Sequence, residues 1–204
     1  GKVISTDFSS LNKTKTRSCG CLQKESVKNT GLTNRRYTIN PDKLVDNDVT
    51  AYIAGLYAAD GSNEKSGISI SLQSIDQNIL LKISSYFDYT GTIYSIVRSK
   101  STEQNQVRLT ISDPSFRKFF EERGVIKNKT KDYVVPEIYL KNSHFWRGFL
   151  DGDGCIFKYN RKYPVYGVSL VGTKNTIDSF LYRTIPIPYK IVVIKGVKYK
   201  ELKY

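Results

Sequence analysis

The sequence predicts an α+β fold assembled from two copies of one unit, and three observations predict it. A short stretch occurs twice, as Ile53-Ala54-Gly55-Leu56-Tyr57-Ala58-Ala59-Asp60-Gly61 and as Trp146-Arg147-Gly148-Phe149-Leu150-Asp151-Gly152-Asp153-Gly154. Each copy is an apolar, helix-like run with Gly at its third position and Asp-Gly at its end. The closing acids, Asp60 and Asp153, stand 93 positions apart, the size of one small α/β repeat. Each copy is followed by strand-like sequence and then by a helix-like segment. Internal repetition of this kind fixes an architecture before any single element does.

The elements follow in order. Residues 1–47 are a polar, basic arm with Lys13, Lys15, Arg17, Lys24, Lys28, Arg35 and Arg36, and Glu25 is the only acid between positions 8 and 41. Residues 48–142 form the first repeat. Asp48 or Thr50 is placed to cap its motif helix, and Gly61 stands where a left-handed C-cap is wanted. Ile68, Ile70 and Leu72 alternate with Ser69, Ser71 and Gln73, the signature of a half-buried strand. Asp76 to Asp88 reads as an amphipathic helix with Ile79, Leu80, Ile83 and Phe87 on its apolar side. Thr92 to Arg98 and Gln106 to Ser112 read as a hairpin. Pro114 opens a further helix through Phe116, Phe119 and Phe120, and Gly124 closes it. Residues 125–142 are a basic connector.

Residues 143–204 form the second repeat. Asn142 or Ser143 caps its motif helix, and Gly154 repeats the role of Gly61. Cys155 to Tyr159 and Tyr166 to Val171 read as strands, Thr173 to Arg183 as a helix, and Tyr189 to Lys195 with Val197 to Tyr204 as a last hairpin. Ile70-Ser71-Leu72 aligns with Val168-Ser169-Leu170. The first repeat continues into a helix, Pro114 to Gly124, that has no counterpart after Tyr204. The second repeat is therefore expected to lack its last helix and to be the less stable half. Cys155 is expected to be buried.

The repeated stretch has a chemical reading. Gly inside a helix costs about 1 kcal/mol relative to Ala, a cost justified where two helices meet backbone to backbone. Ala54, Gly55, Ala58 and Ala59 fall mainly on one side of the first helix, and Gly148 and Gly152 on one side of the second. Asp60 and Asp153 lie at helix C-termini, where the macrodipole disfavours a carboxylate and a cation reverses the argument. If the helices pack side by side, both carboxylates and the carbonyls of Ala59 and Gly152 form a hard-oxygen site. That set suits Mg²⁺, with Mn²⁺ or Ca²⁺ able to take the same place. Asp151-Gly152-Asp153-Gly154 is not a calcium loop, since the acidic ladder and closing Glu of an EF-hand are missing.

Both copies of the motif resemble that of the LAGLIDADG homing endonucleases, in the form that carries two motifs in one chain. The resemblance implies two pseudo-symmetric αββαββ repeats that form a saddle of antiparallel strands, with the motif helices at the repeat interface. It implies a metal-dependent, monomeric DNA endonuclease that cuts both strands of a long, weakly palindromic site. By motif match, Asp60 and Asp153 are the metal ligands. Gln73 is placed to order water beside the metals, with Lys158 and Lys65 as weaker candidates for a basic pocket. The sequence departs from the family pattern at Ala58, where the family carries Asp; the second copy keeps Asp151. The outward-facing residues expected to contact DNA are Ser69, Ser71, Gln73, Arg98, Lys100, Gln106, Arg108, Asn160, Lys190, Lys198 and Lys200. A β-ribbon fits the major groove, where such side chains read base edges. An intron RNA maturase, or an inactive DNA-binding protein on the same fold, is the alternative.

Composition bounds the rest. The net charge is +13, from 32 Lys and Arg against 19 Asp and Glu, which points to a polyanionic partner. No apolar run approaches the ~18 residues of a membrane span, and no signal-peptide pattern opens the chain. Three Cys, an odd count, argue against a disulfide scaffold and for a reducing compartment inside a cell, a bacterial or phage-infected cytoplasm ahead of an organelle. Thr16-Arg17-Ser18-Cys19-Gly20-Cys21-Leu22 resembles the close of small Cys-Gly-Cys repeats in phage DNA-binding proteins. Two cysteines do not furnish a four-ligand zinc site. The arm is a truncated module, a phosphate-contacting arm or a solvated linker. The chain has no Met and opens at Gly1, as a processed product or fragment would. The single His, His144, excludes nucleases built on several metal-binding histidines.

Overall fold

The computed structural model describes residues 37–97, 104–126, 133–159, 165–184, 190–194 and 197–201; residues 159, 165, 166, 182–184 and the last two segments are described by their backbone alone. The chain divides into two units, Gly1–Tyr37 and Thr38–Tyr204. The expected arm residues up to Arg36 lie outside the described residues.

The folded unit begins ten residues before the expected boundary at 48. Thr38 and Asn40 bond across to Thr90 and Phe87, with Thr90 N donating to Thr38 O at 3.1 Å and Asn40 N to Phe87 O at 2.8 Å. A 3-10 turn at Pro41–Lys43 then leads into helix α1, Asp48–Asp60. Its cap is Asn47, not Asp48 or Thr50. The Asn47 side chain accepts from Val49 N and Thr50 N, and the Thr50 hydroxyl accepts from Asn47 N to close a capping box.

Strands β1 (Gly61–Glu64) and β2 (Gly67–Gln73) form a tight hairpin directly after α1. Helix α2 (Gln77–Tyr86), strands β3 (Tyr94–Ile96) and β4 (Gln106–Ile111), and helix α3 (Pro114–Glu121) complete the first repeat. The sheet order is β1-β2-β4-β3, all antiparallel. Ile68, Ile70 and Leu72 of β2 and Val107, Leu109 and Ile111 of β4 face the core, as their alternation predicts. Phe116 and Phe120, ring centroids 4.6 Å apart, fill that core with Phe87 and Tyr57. Asp113 caps α3, and Gly124 ends the segment at φ +86°, the left-handed conformation that favours glycine.

The connector does more than link the repeats. Val125, Tyr133, Val135 and Tyr139 are buried in the core, and a 3-10 turn at Glu137–Tyr139 leads to Asn142, the cap of helix α4 (Ser143–Asp153). Tyr139 stacks on Phe145 at 4.6 Å. Strands β5 (Gly154–Tyr159) and β6 (Val165–Leu170), helix α5 (Lys174–Thr184) and strands β7 (Lys190–Ile194) and β8 (Val197–Glu201) make the second repeat. Here the strands pair as two hairpins, β5-β6 and β7-β8.

Three expectations are corrected. Gly61 and Gly154 are not left-handed caps: their φ values are −76° and −102°, and each passes straight from helix to strand. Cys155 is an exposed free thiol. The alignment of the repeats is two residues off. Gly61 pairs with Ile70 and Gly154 with Leu170, so Val168-Ser169-Leu170 matches Ile68-Ser69-Ile70. The first repeat runs six residues from Ile70 to the start of α2, and the second only three from Leu170 to α5.

Candidate functional site

The site is built where α1 and α4 run side by side in the same direction. Gly55 and Gly148 are the seats of this packing. A Cβ on Gly55 would lie 2.8 Å from the Phe145 carbonyl carbon and 2.9 Å from Phe149 N, with the Phe145 oxygen nearer still. A Cβ on Gly148 would lie 2.9 Å from both Leu56 N and the Tyr52 carbonyl carbon. The two contacts are related by the 93-residue repeat, so each helix presses its glycine onto the other's backbone. This is the close approach the small residues predict.

The C-termini consequently meet. A Cβ on Gly152 would lie 3.1 Å from Asp60 Oδ2, so the Asp60 carboxylate rests beside the residue preceding Asp153. Asp60 is exposed and Asp153 half-buried. The C-terminal ends of the two helices come together there, with Ala59 and Asp60 beside Gly152. Among the described residues no three His, Cys, Asp or Glu side chains gather to hold a metal. The donor set is therefore two carboxylates with backbone carbonyls. That set fits a hard divalent cation that keeps several waters, and it does not fit zinc.

The sheet of the first repeat presents its outer face in rows. Ser62, Ser69 and Thr110 stand in one row, Ser71, Arg108 and Tyr94 in the next, and Gln73, Gln106 and Ile96 in the third. Gly61 pairs with Ile70, so Asp60 lies level with Ser71. The Arg108 Nε donates to Ser71 Oγ at 2.8 Å. Gln73 is exposed, two residues beyond that level, roughly 7 Å at strand rise. Ser69 departs from the expected row of contact residues: it is buried, with its hydroxyl 2.8 Å from that of Ser62. Tyr94, 51% exposed on the Arg108 row, was not foreseen, because its row depends on the β3-β4 register.

The second repeat differs. Cys155 pairs with Ser169 and Phe157 with Gly167, and these form the row equivalent to Ser62 and Ser69. Lys158, exposed, falls on the opposite face of β5 and five residues from Asp153, about 16 Å of extended chain. It therefore does not stand beside the carboxylates, and the expected basic pocket is not formed by it. Lys65 sits in the β1-β2 turn, away from Asp60. Lys198 and Lys200 register with Val193 and Ile191, whereas Lys190 registers with Glu201 and so belongs to the alternate row. Arg98, Lys100 and Asn160 lie outside the described residues.

One polar network was missed. The Tyr52 hydroxyl donates to Asp151 Oδ2 at 2.8 Å, and the Arg147 guanidinium lies over the Tyr52 ring at 4.9 Å. Burial, then the hydrogen bond to Asp151, pushes the Tyr52 phenol well above its usual range. The repeat explains the departure at Ala58. The counterpart of Tyr52 is Phe145, which has no hydroxyl, and the counterpart of Asp151 is Ala58, only 4% exposed. An Asp at 58 would be buried without that donor. On the outer rim, His144 Nε2 lies 3.3 Å from Asp48 Oδ2, so the one histidine belongs to the helix N-termini, far from Asp60 and Asp153.

The fold and site together define a protein of two α/β repeats, joined by parallel glycine-seated helices whose C-termini meet with the Asp60 carboxylate beside Gly152. Residues 47–124 match the family model described as a LAGLIDADG-like domain. That match covers the first repeat, and the chain as a whole has the fold seen in LAGLIDADG homing endonucleases. The homing endonuclease I-WcaI bound to its DNA recognition sequence is similar at 13% identity and TM-score 0.52, over 95% of this chain and 86% of that one. The I-LtrWI LAGLIDADG homing endonuclease bound to target DNA aligns at 15% identity and TM-score 0.48, over 80% and 79%. No curated protein matches by sequence. No helix among the described residues is long and apolar enough to cross a membrane.

Proposed function

We propose that the chain is a site-specific endonuclease that binds duplex DNA across its outer sheet faces and hydrolyses phosphodiester bonds at Asp60 and Asp153. What supports the reading is the meeting of the C-termini of α1 and α4, with the Asp60 carboxylate beside Gly152, the residue that precedes Asp153. Asp60, Asp153 and the carbonyls of Ala59 and Gly152 would hold Mg²⁺, which supplies Lewis acidity and an activated water. Arg108, fixed by Ser71, offers a cation on the row level with Asp60. Gln73 orders water or reads a base edge from the next row. The net charge of +13 draws the phosphate backbone. One chain supplies both carboxylates, so the enzyme acts as a monomer, and an intron is its natural setting.

The test is cleavage selection from a randomised DNA library with Mg²⁺, repeated with Asp60→Asn and Asp153→Asn. Each variant is expected to lose double-strand cleavage while retaining specific binding, as removal of a metal ligand costs far more activity than stability. Undiminished cleavage by either variant overturns the assignment. An RNA affinity above that for any DNA, with no cleavage, favours the maturase alternative.

A further inference from the structure

The outer faces of the two repeats carry different chemistry. Around Asp60 the rows are mainly polar: Ser71, Arg108, Gln73 and Gln106, with Tyr94 and Ile96 beside them. Around Asp153, among the residues whose side chains are described, they are less so. The position equivalent to Ser71 is Val171, whose backbone N donates to Asp153 O at 3.0 Å and whose side chain is 51% exposed. Where the first repeat runs on to Gln73, the second has already turned into α5 at Thr173, whose hydroxyl donates to the Tyr133 carbonyl at 2.8 Å. Further along the same face, Phe157 lies across Gly167: a Cβ there would be 3.2 Å from Phe157 Cδ2, with the ring edge nearer still. Gly167 thus seats a half-buried aromatic ring on the outer face. Between them stand only Cys155 and Ser169.

An exposed valine and a seated phenylalanine on a face that meets DNA have one base-specific counterpart in the major groove, the thymine 5-methyl group. Resting on the reading of this face as the DNA surface, we propose that Val171 and Phe157 are specificity residues that read thymine methyls. The half-site under the second repeat is then recognised by apolar contact, whereas that under the first is read by hydrogen bonds from Gln73, Gln106 and Arg108. Phe157 is four residues further from the motif than the level of Val171, about 13 Å at strand rise. At ~3.4 Å per base pair the two thymine positions should lie roughly four base pairs apart. The Val171 position is the nearer to the centre of the site.

The experiment uses the full chain carrying Asp60→Asn, so that binding is measured without cleavage. A bound sequence is first selected from a randomised duplex library. Each thymidine in it is then replaced singly by deoxyuridine, which removes only the methyl group, and affinity is measured by anisotropy. A buried methyl corresponds to an affinity loss of about fourfold. The expected result is such a loss at two positions of one half-site, some four base pairs apart, and little change in the other half. Val171→Thr and Phe157→Ser are each expected to erase the deoxyuridine effect at one of the two positions. Val171→Thr is nearly isosteric at an exposed position, so it keeps the question open to test if Phe157→Ser does not fold. Specific binding with no deoxyuridine effect, or an effect that both variants leave unchanged, overturns this inference and leaves the proposed function standing. No selectable DNA sequence at all overturns the proposed function, and this inference with it.

Discussion

Replacing Gly55 by Ala tests the helix pair on which the site depends. Helix propensity alone favours Ala by about 1 kcal/mol. Against this, the new methyl would stand 2.8 Å and 2.9 Å from the Phe145 carbonyl carbon and Phe149 N. Non-bonded carbon contacts settle at ~3.5–4.0 Å, so α4 must retreat by the better part of an ångström. The colliding atoms are backbone and cannot turn aside as a side chain would. Overpacking of this kind costs about 1–3 kcal/mol, here at the upper end because the whole helix must move. The net expectation is a loss of roughly 2 kcal/mol, or about 1 M in the urea midpoint for a protein of this size. Trp146, the sole tryptophan, is 3% exposed on α4 and reports the transition by fluorescence. Gly148→Ala should behave alike, since its contacts mirror those of Gly55. An unchanged or raised midpoint in both variants would refute the claim that the backbones set the separation of the helices.

Three further outcomes follow from the same structure. Ala58→Asp should destabilise by ~2 kcal/mol or more in urea titration, since it buries a carboxyl without the donor that Tyr52 gives Asp151; adding Phe145→Tyr should recover part of the loss. The Arg123 guanidinium hydrogen-bonds both carboxylate oxygens of Asp46, at 2.7 Å and 2.8 Å, and holds that carboxyl below its usual range. A depressed folded pKa stabilises above the ordinary pKa near 4 and is lost as pH falls through the folded value. The stability gap between the native chain and Asp46→Asn should therefore be small and present at neutral pH, and should close below pH ~4. DNA affinity should fall steeply with salt, with a slope of about −0.9 in log K per phosphate contact, and a flat dependence would remove the backbone-dominated interface.

The repeat, the motif helices and the aromatic helix Pro114–Glu121 were legible because their signals are local. Glycine spacing, an Asn ahead of an apolar run and Pro at the first helical turn each act within one element. Strand level was not legible. A two-residue slip preserves the alternation of apolar and polar side chains, so the sequence could not tell Ile68-Ser69-Ile70 from Ile70-Ser71-Leu72 as the match to Val168-Ser169-Leu170. Only the hairpin length separates them. Ser69 looked outward by alternation and does face outward, yet Ser62 closes over it, a contact set by the tight β1-β2 turn. Cys155 was read as core from its residue type, while its row, shared with Ser169, lies on the outer face. Charge near a motif suggests Lys158, and one residue of alternation sends it to the other side of the strand. The close pairing of α1 and α4 was predictable because the glycines that allow it sit in the motif itself.

At Gly55 and Gly148 the joint between α1 and α4 is made with main-chain atoms, and main-chain atoms are the same in every sequence. A seam of that kind places no demand on the strands beyond it. The two halves are free to drift apart in what they carry, one toward serine, arginine and glutamine, the other toward valine and phenylalanine, while the spacing of Asp60 and Asp153 stays fixed. The same seam should accept a foreign half: a second repeat of the same fold, grafted at α4, must bring its glycine to the Tyr52 carbonyl, offer its own carbonyl to Gly55 and supply an acceptor for the Tyr52 hydroxyl.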